Sequence, residues 1–293
     1  MAQTTNQKKK KKRKKRKQSM QPLTVVLLLL GALVLALFLL IKLFTHSAQA
    51  EPVPSPSPSS TVPPTLPPST LALECFGTEN GYKTYVTDSG DAELGLDVSS
   101  HQGWIDWNAV AKSDVDYVIL RAGYRGYGEG SIHQDEYFEY NITSATATDL
   151  GVGIYFFSQA LSEEEAAAEA YTVLSLIEDY EIDYPIFYDW EPVSDDNART
   201  ATISTSELTA CAKTFCQIIE EAGYEAGIYF NLTIAANCYH LYELKDYEFW
   251  LAEYQDIPSF PYAIDMWQYT AKGSVPGIST KVDLNLSFTP YGS

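Results

Sequence analysis

The residues best equipped for chemistry in this sequence are Asp189 and Glu191, two apart at the end of the apolar run Ile186 to Glu191, IFYDWE. Alternate residues of a strand project from one face, so a strand here would deliver both carboxylates to the same place. Each then sits in the other's field, which tends to hold one of them protonated near neutral pH. A protonated and an ionised carboxylate side by side are what cleavage of a glycosidic bond needs. One protonates the leaving oxygen while negative charge stabilises an oxocarbenium-like centre. Burying two acids together is costly unless they are paired or used, so the DWE pair reads as functional.

The elements that must position this pair recur along the chain. Strand-like runs fall at 93–99, 117–122, 152–158, 184–191, 226–231, 249–254, 263–269 and 282–286. Helix-like stretches separate the first five, clearest at Ser162 to Tyr180 and at Ser204 to Ala222, which Gly223 ends. Eight strands with crossover helices predict an α/β fold closed into a single barrel. After Tyr254 helical pattern is scarce, so short connections should join the last strands.

In a barrel the C-terminal strand ends converge on one mouth. Asp97 ends the first strand, Asp189 and Glu191 the fourth, Asp265 and Trp267 lie on the seventh, and Asp283 lies on the eighth. Tyr155, Phe157, Tyr188, Trp190, Tyr229, Trp250, Tyr254, Trp267 and Tyr269 could pack under sugar faces, or be core. A lone Asp at a strand end could equally cap the next helix.

The N-terminal region has a different character. KKKKKRKKRK, Lys8 to Lys17, precedes Leu23 to Ile41, 19 residues without a charge. That length spans a bilayer, and the charge bias keeps the N-terminus in the cytoplasm and the rest outside. The expected limits are a basic cytoplasmic tail at 1–22, a transmembrane or signal-anchor helix at 23–41, an extracytoplasmic linker at 42–70 and a catalytic domain at 71–293. Ala48-Gln49-Ala50 has the small-x-small form of a signal peptidase site, so release by cleavage near Ala50 is the alternative to a retained single-pass anchor. Residues 51–69 are mostly Pro, Ser and Thr and predict an extended, disordered spacer.

From Leu71 onward the chain holds nine Lys and Arg against 37 Asp and Glu, a formal charge near −28. That excludes nucleic acid as a partner and disfavours bare anionic lipid. A polyanionic substrate would need a local exception. Cys75, Cys211, Cys216 and Cys238 fall outside the cell in this topology, where one or two disulfides could form. No Cys/His spacing suggests a metal, and no cofactor is implied. Ser99 and Ser100 sit in no GxSxG elbow.

GLDVSSHQG (95–103) with the following IDW, RAGYRGYGEG (121–130), DEYFEYN (135–141), GVGIYFFSQA (151–160), YDWE, YFN, WLAEY (250–254) and MWQYTAKGSVPGISTKVDLN (266–285) occur in this order. Together they resemble the family 25 glycoside hydrolases, lysozyme-type N-acetylmuramidases, over nearly all of 93–288. The resemblance implies a single TIM-like (β/α)5(β)3 barrel that hydrolyses the β-1,4 bond between N-acetylmuramic acid and N-acetylglucosamine in peptidoglycan, as a monomeric catalytic domain. It implies Glu191 as general acid and Asp189 as the partner that stabilises charge or orients the substrate N-acetyl group. Asp97 and Asp283 match the other acidic positions of the cleft.

Substrate binding is expected of Tyr155, Phe157, Tyr188, Tyr229, Trp250, Tyr254, Asp265 and Trp267. His101 could hydrogen-bond a sugar, orient Asp97 or make a structural hydrogen bond. Glu129, in a GYGEG loop altered from the family phrase, is a sugar-binding group or a solvated loop acid. The alternatives to a muramidase are a chitinase or endo-N-acetylglucosaminidase, and a non-catalytic cell-wall-binding barrel.

Overall fold

The computed structural model describes residues 65–195 and 197–291. The basic tail, the apolar segment and the linker up to residue 64 lie outside them. No helix among the described residues is long and apolar enough to cross a membrane.

Three short strands come first: β1 (Phe76–Glu79), β2 (Tyr82–Thr87) and β3 (Gly90–Asp91). The barrel follows with β4 (Glu93–Val98), β5 (Tyr117–Arg125), β7 (Gly151–Phe157), β8 (Ile186–Asp189), β9 (Ala226–Asn231), β10 (Glu248–Ala252), β11 (Met266–Gly273) and β12 (Val282–Ser287), while β6 (Ile132–Gln134) is a flap on β5. Strands β4, β5, β7, β8, β9, β10 and β11 pair in that order, all parallel. β12 lies antiparallel between β11 and β4 and closes the ring of eight strands. Only residues 274–281 join β11 to β12, too few for the dozen or more that a parallel crossover takes. The chain therefore doubles back, and the last strand differs in direction from that of an all-parallel barrel.

The helices are few and mostly short: α1 (Trp107–Val110), α2 (Phe138–Ala145), α3 (Glu163–Ile177), α4 (Thr205–Glu221) and α5 (Leu232–Asn237). α3 starts where Ser162 accepts the Glu165 N–H, with three acids in its first turn. α4 starts with a Ser204/Glu207 capping box, which satisfies two amides left unpaired at a helix start.

Alternation along each strand divides the core. On β4, Leu94, Leu96 and Val98 face the helices, while Gly95 and Asp97 face the barrel interior. Tyr117, Ile119, Tyr184, Phe187, Trp250 and Met266 plug that interior. Gly95 is needed because a Cβ there would overlap the Tyr117 ring. The plug makes this a solid barrel with chemistry confined to its rim.

The β1–β2 hairpin turns through Asn80 (φ 53°) and Gly81 (φ 90°), the positive-φ pair a tight hairpin requires. Phe76 packs against Trp267 and Tyr85 against Phe288. Leu66 is buried and Pro68 bridges Tyr262, so contact with the barrel begins a few residues before 71. All four cysteine thiols are free, Cys211 and Cys216 being buried on α4.

Candidate active site

Asp97, near the C-terminal end of β4, is a buried carboxylate of the mouth held by two side-chain amides. Its Oδ2 accepts from Gln268 Nε2 at 2.9 Å and from Asn285 Nδ2 at 2.8 Å. Both amides are themselves oriented. Asn285 Oδ1 accepts from Trp250 Nε1 at 2.9 Å, and Gln268 Oε1 accepts from Tyr229 Oη at 3.1 Å and Tyr254 Oη at 2.9 Å. An indole and two phenols thus leave each amide only its NH2 group to point at Asp97. Burial, then the neighbouring Asp283, push Asp97 up to about 8, although the two amides pull the other way.

Asp283 is the register partner of Asp97 across the β4–β12 pair and is itself raised to about 6 by burial. Asp189 closes β8, is 5 % exposed, and leaves Oδ1 without a hydrogen bond among the described residues. Burial, then the charges of Glu191 and Asp97, hold its carboxyl well above the usual range, with Arg121 opposing. Glu191 is raised by burial and then by Asp283.

Glu191 is not on the strand. β8 ends at Asp189, and Glu191 is the second residue of the following loop, after Trp190. The backbone there is held by buried Gln159, whose Nε2 donates to Glu191 O at 3.0 Å while its Oε1 accepts from Thr200 Oγ1 at 2.6 Å. Ser158 N–H donates to Asp189 O at 2.7 Å.

Arg121 supplies the positive charge of the mouth. Its guanidinium pairs with buried Asp135 at 2.7 Å and donates to Ser100 Oγ at 3.0 Å, which fixes its plane. Asp135 already balances that guanidinium, so ionisation of any of the four mouth acids gives the site a negative potential, suited to a cationic transition state.

The expected binding residues separate into groups. Tyr229 and Tyr254 join the Asp97 network, and Tyr254 is 55 % exposed at the rim. Trp250 is buried beneath, touching Tyr155, Phe187 and Tyr229. Tyr155 feels the charges of Arg121, Asp97 and Asp189, and Phe157 is the β7 register partner of Asp189. Tyr188, Trp267 and Asp265 need correction. Tyr188 points out of the barrel, packs on Phe215 and bonds Ser158, because the residue beside an inward Asp189 must face outward. Trp267 likewise lies in the outer core, its Nε1 donating to Glu253 O. Asp265 precedes β11, and its carboxylate caps Phe249 N–H and Thr289 Oγ1 at the barrel's opposite end.

Glu129 is an exposed loop acid bonded to His133. His101 is exposed, its backbone N–H bonding Ser99 Oγ, and the orienting of Asp97 falls to Gln268 and Asn285 instead. These two amides, with Arg121 and Gln159, are the site residues that sequence reasoning left unassigned. A polar side chain at an inward-facing position of an apolar strand, as Arg121 is in YVILRA, was the available signal.

The comparisons agree with this geometry. The model of glycosyl hydrolases family 25 matches residues 96–278. The uncharacterized protein YegX of Escherichia coli (strain K12) is 26 % identical over 201 residues, 66 % of this chain and 68 % of its own length. The autolytic lysozyme of Clostridium acetobutylicum is 26 % identical over 192 residues, 65 % of this chain and 54 % of its own. Among solved structures, the modular autolysin LytC from Streptococcus pneumoniae superposes with a TM-score of 0.62 at 25 % identity, over 73 % of this chain. The match spans about half of LytC, 52 % of its length. The Clostridium perfringens spore cortex lytic enzyme SleM gives 0.58 at 23 % identity, over 67 % of each chain. With the family's match covering most of an eight-stranded barrel whose rim gathers Asp97, Asp189, Glu191 and Asp283, the chain belongs to family 25 of the glycosyl hydrolases.

Proposed function

We propose that this barrel is a lysozyme, hydrolysing the β-1,4 bond between N-acetylmuramic acid and N-acetylglucosamine of bacterial peptidoglycan. The observation that carries the reading is the gathering of Asp97, Asp189, Glu191 and Asp283 at one rim, with Glu191 the less buried of the DWE pair. Glu191 is placed to give its proton to the leaving oxygen, since it lies on a loop at the mouth. Asp189, held above the usual carboxyl range beneath it, hydrogen-bonds the 2-acetamido group and orients its oxygen toward the anomeric carbon. Asp283, raised only to about 6, is ionised near neutral pH and stabilises the positive charge that develops there, with Asp97 beside it across the strand pair. Attack by the acetamido oxygen predicts retention at the anomeric carbon. LytC, a relative in fold, has been solved with a synthetic peptidoglycan ligand.

The test is digestion of defined peptidoglycan by the purified full-length chain, followed by borohydride reduction and mass analysis. Reduced muramic acid ends, absent with Glu191→Gln, are the expected result. Reduced glucosamine ends would make the protein a glucosaminidase, and no new ends would make it a binding barrel.

The alternation of helices between β4 and β10 supports reading the domain as a TIM-like (β/α)5(β)3 barrel. The charge and hydropathy of residues 1–70 support a cytoplasmic tail at 1–22, a single-pass anchor at 23–41 and a linker at 42–70 that holds the domain of 71–293 outside the cell. Membrane fractionation with N-terminal sequencing tests this, and a mature chain starting at Glu51 would show release instead.

A further inference from the structure

The β1–β2 hairpin lies outside residues 96–278, the part matched by the family, yet it is fastened to the rim of the barrel. Lys83 Nζ donates to Asp256 O and Oδ1, both at 2.9 Å, and Tyr82 Oη donates to Ser274 O at 3.2 Å. Between the hairpin and the rim is a hollow of ≈ 560 Å³ lined by Thr78, Lys83, Tyr254, Asp256, Thr270 and Lys272. Tyr254 belongs to both places. It lines the hollow, while its hydroxyl donates to Gln268 Oε1, the amide that holds Asp97. The hollow therefore adjoins the network that holds Asp97 and shares Tyr254 with it.

Its charge is unusual for this molecule. In a domain with 37 acidic and nine basic residues, two of the nine, Lys83 and Lys272, line this one hollow. Lys272 is exposed and has no ion-pair partner among the described residues. Lys83 is held by Asp256 through its carboxylate and its backbone carbonyl, and its side chain is only 20 % exposed, so Lys272 is the cation open to a ligand and Lys83 adds its charge from behind. An anionic group would be repelled from most of this surface and would settle where the cations are.

We propose that the hairpin shelf receives the carboxylate-bearing peptide stem of the glycan substrate, with Lys272 facing its carboxylates and Lys83 behind. This rests on the muramidase reading, because peptidoglycan is a glycan that carries an acidic peptide on every uncleaved muramic acid. The rim cations would favour stem-bearing strands over stripped ones, while the acids beyond Tyr254 act on the sugar.

Binding in the full-length Glu191→Gln chain, which holds substrate without turning it over, tests the proposal. The probes are a soluble disaccharide-peptide and the same disaccharide with its peptide removed. Lys272→Glu should weaken the first about fivefold, leave the second unchanged, and lose its effect at high salt. Lys112→Glu alters another exposed cation without a partner among the described residues, on the turn before β5, and should change neither. Equal affinities before and after Lys272→Glu, or an equal loss for both probes, would overturn the proposal. Failure of the muramidase reading shows separately, as no muramic acid ends released by the unaltered chain, and Lys272-dependent binding of the peptide-bearing probe would still be measured.

Discussion

Asp283 on β12 stands directly opposite Asp97 on β4 across two antiparallel strands, a relationship that places their Cβ atoms about 4.5–5.5 Å apart. Only the strand that runs backwards creates it. Asp97 rises to about 8 through burial and then this neighbour, and the same Asp283 charge helps hold up Glu191. The closing strand therefore adds to what burial does to the proton affinity of the proposed acid, from the far side of the mouth.

Neutralising that neighbour should be visible in the pH dependence. Asp283→Asn removes the charge that raises Glu191, so Glu191 loses its proton at lower pH. The alkaline limb of kcat/KM should move toward acid, and a profile with an unmoved limb would break the link between the two residues.

Gln159 touches only the backbone of Glu191, which makes it a positioning residue. Gln159→Leu should lower kcat by about 10- to 100-fold through loss of placement while changing KM about twofold or less. A matching fall in the melting temperature of Gln159→Glu without a loss of kcat would assign the residue to stability alone.

Asp265 separates the two ends of the barrel. Asp265→Ala leaves Phe249 N–H and Thr289 Oγ1 without their acceptor, at a cost of about 1–3 kcal/mol or ~2–12 °C in Tm. Turnover should stay within about twofold of the parent, because Asp265 bonds only groups at the end of the barrel away from the acids. Steady-state kinetics beside a thermal melt checks both halves, and a selective rise in KM would return Asp265 to the substrate cleft.

Stability should fall as pH rises. The folded carboxyls of Asp283 (about 6) and Asp97 (about 8) are both raised, against about 3.9 in an unfolded chain. The native state then binds more protons than the unfolded one over that interval, so its stabilisation is complete below about 4 and is lost through about 6 to 8. Tm should be higher near pH 5 than near pH 8.5, and Asp97→Asn should flatten the upper part of the slope. A Tm that climbs across this range would contradict the raised values.

Much of this was legible in the chain alone, for reasons that are local. Strand and helix positions follow from apolar periodicity and caps: the runs at 226–231 and 282–286 match β9 and β12 almost to the residue, and Ser162 and Ser204 start α3 and α4. The four acids could be named because a carboxylate ending an apolar run is conspicuous without coordinates.

Side-chain direction was harder. Tyr188 and Trp267 sit beside inward residues and so face outward, a one-residue matter of register that composition does not reveal. Asp265 has the right residue type at the wrong end of its strand.

By itself, the sequence determined which segments form strands and helices, which carboxylates are available and how acidic the domain is, since these depend on neighbours along the chain. Only the tertiary structure decided that β12 runs antiparallel, that Gln268 and Asn285 aim their amides at Asp97, that Gln159 holds Glu191, and that the hairpin brings Lys83 to the hollow lined by Tyr254 and Lys272. Each of these depends on contact between residues far apart in the chain, and barrel closure is what brings them within hydrogen-bonding and Coulombic range.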